Sequence, residues 1–281
     1  MQLETRIYQK ENNLKIGKLL KDSAKDFFDS HFLAKQLATR DIKAQYRQSY
    51  LGIIWAFISP ISSAFVWIFL SATGTIKLND TGVPYPIYVF SGTLIWSIIT
   101  EAINLPSSNT NAARGILTKI NFPKEALVLS GIYKLLFNSS IKIGLLITLI
   151  FAFGVGFHWS LLLFPFAILA AILFGTTIGL FFTPISLIYT DIAKIISMGL
   201  SLLMYITPVV YAIPEDGLMK MVMELNPFTS LILTARDLAL GSTPEYLNYF
   251  CGVFAVSALL FFIGLLFYRI SIPIIVERLS A

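Results

Sequence analysis

Between Leu51 and Tyr268 the chain carries six apolar stretches, and the charges outside them are sorted by side. A hydrocarbon core roughly 30 Å thick takes about 20 helical residues per crossing. The stretches, at 51–72, 85–105, 135–157, 160–183, 194–212 and 247–268, therefore predict an all-α polytopic membrane protein with six transmembrane helices. The first fifty residues hold ten Lys or Arg, and the loop after the second stretch adds Arg114, Lys119 and Lys124. The loop after the first stretch has Lys77 alone. The loop after the fifth sets Lys220 and Arg236 against Glu215, Asp216, Glu224, Asp237 and Glu245, a net −3. Basic residues beside span ends stay in the cytoplasm, so both termini are expected inside a bacterial inner membrane. Two parts follow: a cytoplasmic leader at 1–50 and a six-span domain at 51–281.

Composition agrees. A hydrophobic share of 56% against 13% charged lies outside the balance of a soluble domain. The net charge of +5 does not point to nucleic acid, because the basic residues flank spans, where headgroup contact and topology account for them. Cys251 is the only cysteine, which excludes an internal disulfide and a thiolate metal cluster. His31 and His158 fall on opposite sides of the bilayer and share no metal site. No cleavable signal peptide is expected, since the first apolar run begins at Leu51 behind a charged leader.

Within the leader a short helix is expected around Leu14–Leu20, and residues 32–50 form an amphipathic one. Leu33, Leu37, Ala44 and Leu51 fall on one stripe, and Arg40, Lys43 and Arg47 on the next. Such a helix lies in the headgroup layer. Its basic strip either anchors topology or faces phosphates or a cytoplasmic partner. On the cytoplasmic side, residues 106–131 predict a short amphipathic helix at 107–121, bounded by Pro106 and Pro123. On the outer side, Pro214, Pro227 and Pro244 frame two moderately apolar pieces, 217–225 and 228–240, too short to span and expected as outer-leaflet or re-entrant helices.

The chain holds no G-x-x-x-x-G-K-[ST] loop to cradle a nucleotide phosphate, and no H-E-x-x-H or G-x-S-x-G. Acidic residues within spans are nearly missing; Glu101 sits about one turn from the cytoplasmic end of the second. Ion-coupled carriers need ionisable or oxygen-rich midplane sites, so energy for uphill movement is expected from another polypeptide. Lys142 lies inside the third span, where a lysine costs ~3 kcal/mol. It either snorkels or makes a helix contact, or it lines a conduit.

At the leader–span junction the chain reads Arg40-Asp41-Ile42-Lys43, then Tyr46-Arg47-Gln48-Ser49-Tyr50-Leu51-Gly52, then Trp55 and Pro60. This resembles the R-D-x-K…Y-R-x-S-x-L-G-x-x-W…P signature of type-2 ABC exporter permeases for polysaccharides (O-antigen, capsule and teichoic acid). Asn121-Phe122-Pro123-Lys124-Glu125 resembles the family's F-P-x-E element. Tyr189-Thr190-Asp191-Ile192 is similar to Y-R-D-I, Thr207-Pro208-Val209-Val210-Tyr211 to S-P-x-x-Y, and Asn226-Pro227-Phe228 to its N-P segment. Thr190 stands where the family usually has arginine. The resemblance implies a homodimer of six-span permeases bound to two copies of a cytoplasmic ATPase, which holds the ATP and Mg; this chain itself is expected to be no enzyme and to bind no cofactor or metal. It implies a conduit between the permeases for a lipid-linked glycan, and a coupling helix in the loop after span two. Interface and coupling residues are then Arg40, Asp41, Lys43, Tyr46, Arg47, Asn121, Phe122, Pro123, Glu125 and Asp191.

Conduit candidates follow from sugar chemistry: aromatic rings give shallow stacking, and hydroxyls give exchangeable hydrogen bonds. Trp55 and Ser59 share a face of span one, with Ser62 and Ser63 beside it, and Ser201, Tyr205 and Pro208 share a face of span five. Tyr85, Tyr88 and Tyr211 near span ends and Lys142 complete the set. The other reading of these hydroxyls is helix–helix contact. A small-molecule exporter of the same superfamily is disfavoured by the long basic leader and the Y-R-x-S-x-L-G signature. A membrane-embedded glycosyltransferase or scaffold would need acidic metal-binding motifs in a cytoplasmic loop, and the sequence has none.

Overall fold

The computed structural model describes residues 16–47, 50, 52–74, 82–117, 119–120 and 122–280. Its helices are α1 (Ile16–Asp29), α2 (His31–Arg47), α3 (Trp55–Ala72), α4 (Tyr85–Ala112), α5 (Arg114–Leu117), α6 (Glu125–Ala152), α7 (Phe164–Ile188), α8 (Thr190–Leu203), α9 (Leu218–Leu225), α10 (Pro227–Leu240) and α11 (Leu247–Ser280). Four of them, α4, α6, α7 and α11, are long and apolar enough to cross a membrane. The first and fifth expected spans come out shorter, as α3 and α8.

Span five shows why. The residue before a proline is driven to extended backbone, and Thr207, ahead of Pro208, sits at φ −127°, ψ 138°. The helix therefore stops at Leu203, makes one 3₁₀ turn over Met204–Ile206, and runs on as irregular chain. The expected separate helix at 107–121 is also corrected. Helix α4 runs through Pro106 to Ala112, and only the four residues of α5 form a helix of their own. Pro106 forfeits one backbone bond, yet tight packing holds the helix on course: a Cβ at Gly179 would lie 2.3 Å from the Ile103 carbonyl and 2.9 Å from Pro106 Cδ. One turn earlier, a Cβ at Gly175 would lie 2.7 Å from that of Ala102. Gly175 and Gly179 thus form the small-residue seam that lets α4 and α7 close on each other, as in membrane helix pairs generally.

The leader folds further than expected. Helix α1 reaches Asp29, well past Leu20, and α2 lies along α6. The face α2 buries is Ala34 and Ala38, with Leu37 half-buried, while Ala44 is exposed. Small side chains one turn apart let two helices approach, so the packed stripe is rotated from the one read off the larger apolar residues. Leu51 lies outside the described residues. The outer elements α9 and α10 fall close to the boundaries expected, because Gly217 at φ 96°, Asn226 as N-cap and Gly241 at φ 82° punctuate them.

Candidate functional site

The last third of α4 reads Asn104-Leu105-Pro106-Ser107-Ser108-Asn109-Thr110-Asn111, an unusually polar end for a membrane helix. Clefts flank it on both sides. Toward α6, a cleft of about 290 Å³ is lined by Glu101, Asn104, Ser108, Lys134 and Asn138 among others. Toward α7 and α8, one of about 200 Å³ sets Asn104, Ser107, Ser108 and Asn111 against Ala193 and Ile196. Ser107 and Ser186 exchange a hydroxyl bond at 2.8 Å, and the buried Thr110 meets Tyr268 at 2.6 Å.

Lys142 is 8% exposed and paired: its Nζ forms an ion pair with Glu101 and donates to Ser97 Oγ at 3.2 Å. Lys142 thus makes a contact between α6 and α4. The pairing with Glu101 joins two spans whose relative register the sequence alone does not fix.

At the leader, Arg40 pairs with Asp41 at 2.8 Å, so its guanidinium is partly engaged by its own neighbour. Lys43 and Arg47 are exposed, and Tyr46 donates to Asn138 Oδ1 at 3.2 Å. In the loop before α6, Lys124 donates to the Phe122 carbonyl and lies 5.0 Å over that ring, beside Pro123. Burial pulls the Lys124 ammonium pKa down, and Glu125 partly opposes this. Glu125 is 1% exposed and accepts from Ser23 and Arg269, both at 2.9 Å; Arg269 also binds Asp26 at 2.7 Å. Asp191 is an exposed partner of Lys194. Asn121 lies outside the described residues.

The conduit candidates do not gather on one surface. Trp55 is 54% exposed on α3, and the side chain of Ser59 lies outside what is described. On α8 the exposed Ser197 and Ser201, one turn apart, lead to Tyr205, 56% exposed. Tyr85, Tyr88 and Tyr211 meet around residue 209, and Tyr211 joins the α8 line by donating to the Tyr205 carbonyl. Four successive carbonyls of the irregular stretch each accept a side-chain bond. Pro208 O takes Arg236 Nη1 at 3.1 Å, Val209 O takes Arg236 Nη2, Val210 O takes Tyr85 at 3.1 Å, and Tyr211 O takes Tyr88 at 3.2 Å. Irregular backbone buried away from water must be satisfied internally, and here side chains do it. Tyr88 is buried within this cluster. Arg236, 2% exposed and stacked 3.7 Å over the Tyr88 ring, was read from sequence only as a loop charge. Its apolar neighbours in 228–240 were the missed signal.

Beside this cluster an outer cleft of about 430 Å³ is lined by Tyr88, Asp237, Glu245 and Tyr246, among others. Burial pushes the Asp237 carboxyl up to about 6, the Arg236 guanidinium pulls back, and Glu245 adds to the rise. The folded protein thus holds that proton up to about 6, whereas the unfolded chain releases it near 3.8. Asp237 therefore weakens the fold increasingly as pH rises from about 4 to about 6, and fully above that. Relative to Asp237→Asn, the wild-type protein is expected to lose roughly 1 kcal/mol between pH 4.5 and 7, after allowing for water around a half-buried carboxyl. Parallel melting curves across that range, with no widening gap between the two, would refute the assignment.

The secondary-structure elements among the described residues are all helices, four of them long and apolar enough to cross a membrane, which fits a multi-pass membrane protein. The ABC-2 type transporter family model matches residues 33–240, and the chain belongs to that family. It is similar to O-antigen export system permease proteins RfbA: 28% identical over 211 residues to that of Myxococcus xanthus, covering 74% of this chain and 80% of the relative. A Klebsiella pneumoniae RfbA is 24% identical over 229 residues, covering 77% and 85%.

Proposed function

We propose that this chain is the permease subunit of an ATP-driven exporter that carries a lipid-linked polysaccharide, O-antigen, across the bacterial inner membrane. Two copies cross the membrane six times each, with α3 and the α8 unit as the short crossings and both termini in the cytoplasm. They assemble with two copies of a separate ATPase that binds ATP and Mg. The observation that carries the reading is the likeness to O-antigen export permeases over 80–85% of their lengths, on a chain with no phosphate-cradling loop of its own. The exposed apolar faces of α3 and α8 fit burial against a second copy, with the Ser197–Ser201–Tyr205 line and the polar end of α4 bordering the path.

Purified alone, the chain is expected to hydrolyse no ATP, and with its ATPase to form a complex of two and two. In a Cys251→Ser background, Ser201→Cys should react with a water-soluble thiol reagent when the complex is locked with nucleotide. ATP hydrolysis by the isolated chain, or labelling no faster than at the lipid-facing Leu259→Cys control in every trapped state, would overturn the reading.

A further inference from the structure

The cleft between α4 and α6 is built as a site. On α4, Ser97, Glu101, Asn104 and Ser108 recur at three- and four-residue spacing, and on α6 Gly131, Leu135, Asn138 and Lys142 do the same, so each set holds one helix face. The two faces meet in a seam about 16 Å long, at 1.5 Å per residue from 97 to 108. Both ends are clamped. At the deep end stands the Lys142–Glu101 pair with Ser97. At the other, a Cβ on Gly131 would lie 2.5 Å from Asn109 Nδ2, and that amide donates to the Leu127 carbonyl at 3.1 Å.

Between the clamps, hydrogen-bonding capacity is left open. Lys134 has no hydrogen bond or ion pair among the described residues. Asn104 spends only its amide N–H, on the Thr100 carbonyl at 3.0 Å, leaving its oxygen free to accept. Asn138 accepts from Tyr46 through its oxygen, leaving its amide free to donate. The cleft thus offers two donors and an acceptor between the apolar walls Leu105 and Leu135. Because Glu101 already neutralises Lys142, the charge left over is the single positive one of Lys134. Alternating donors and acceptors match sugar hydroxyls, the ammonium matches a phosphate, and the apolar walls suit ring C–H faces. Tyr46 ties the end of α2 to the same cleft, bringing the exposed Lys43 and Arg47 helix to its rim.

We infer that this cleft binds the sugar-phosphate headgroup of a glycolipid, with Lys134 on the phosphate and Asn104 and Asn138 on sugar hydroxyls. The inference rests on the export function proposed above and assigns its loading site to the α4–α6 side of α4, which shares Asn104 and Ser108 with the cleft toward α8.

The test uses the full permease–ATPase complex in lipid nanodiscs and three probes: a polyprenyl phosphate bearing one hexose, the free hexose phosphate, and polyprenyl phosphate without sugar. Lys134→Ala should weaken both phosphate–lipid probes about tenfold, the loss of one charge-assisted contact. Lys134→Arg should largely retain binding. Asn104→Leu should weaken the hexose-bearing lipid and leave the sugar-free lipid unchanged. Lys194→Ala, on the exposed face of α8, should change none of them. Affinities indifferent to Lys134 and Asn104 would overturn the assignment, and so would free hexose phosphate binding as tightly as the lipid-linked probe, which would make the site one for a soluble anion. A wild-type complex that cannot restore glycan export to a deletion strain would instead sink the export reading; export restored with indifferent affinities sinks this inference alone.

Discussion

Arg236→Ala is expected to lower the melting temperature of the detergent-solubilised protein by about 10 °C or more. Its two charged hydrogen bonds to Pro208 O and Val209 O contribute about 1.5–3 kcal/mol each. Its desolvated stack on Tyr88 adds up to about 2 kcal/mol. Truncation also strips both carbonyls of their donors in a tightly packed region, where a Cβ on Gly92 would lie 1.9 Å from Val209 O. A loss of about 3–8 kcal/mol follows, and at roughly 2–4 °C per kcal/mol for a chain of this size the shift is large. Arg236→Lys should recover only part, since one ammonium cannot hold two carbonyls in the planar fork geometry. Gly92→Leu should fail in the same way from the other side. A variant that melts with the wild type and keeps the α9–α10 segment resistant to protease would show that the clamp is dispensable.

That clamp marks the boundary of what the sequence could tell. Elements framed by proline in the loops are legible: α9 and α10 begin and stop close to the pieces 217–225 and 228–240 that Pro214, Pro227 and Pro244 set apart. Proline misled where packing outweighed it. Pro106 was read as a helix start, but the Gly175–Gly179 seam of α7 presses against α4 there and keeps the helix whole through Ala112. Thr207-Pro208 was read as lying within a span, and the extended backbone forced on Thr207 ended α8 early. The seam between α4 and α6 was out of reach for a different reason. Glu101 and Lys142 were each visible as costly charges in apolar segments, but their pairing across 41 positions depends on helix register, which one sequence does not fix. Helix α6 likewise begins at Glu125, ten residues ahead of the expected span at 135; Glu125 and Lys134 dilute the hydropathy of that buried first part, so hydropathy alone starts the span late.

Glu125 leads to the second large effect. Arg269, one residue beyond the expected end of span six, joins Asp26 of the leader to Glu125 at the head of α6, directly after the Phe122-Pro123-Lys124 loop. Both carboxylates are nearly inaccessible, at 6% and 1% side-chain exposure. Arg269→Ala removes the guanidinium that both buried carboxylates share, and breaking a buried ionic cluster by deleting one partner typically costs about 3–5 kcal/mol. The expected outcome is a leader helix released from the bundle, seen as rapid proteolysis within α1, and loss of glycan export. The cluster also permits a sharper separation of roles. Replacing buried ionic groups by neutral ones of similar size is often neutral for stability, so the triple variant Asp26→Asn, Glu125→Gln, Arg269→Met should regain most of the melting temperature. If the cluster serves only to hold α1 in place, export returns with it. If instead it carries motion from the loop at 122–124 into the leader and the last span, the triple variant stays folded while the partner ATPase turns over without export. We expect the second result, because rigid charged contacts between three helices tie their displacements together in a way that neutral packing does not. Full export by the stable triple variant would rule that out.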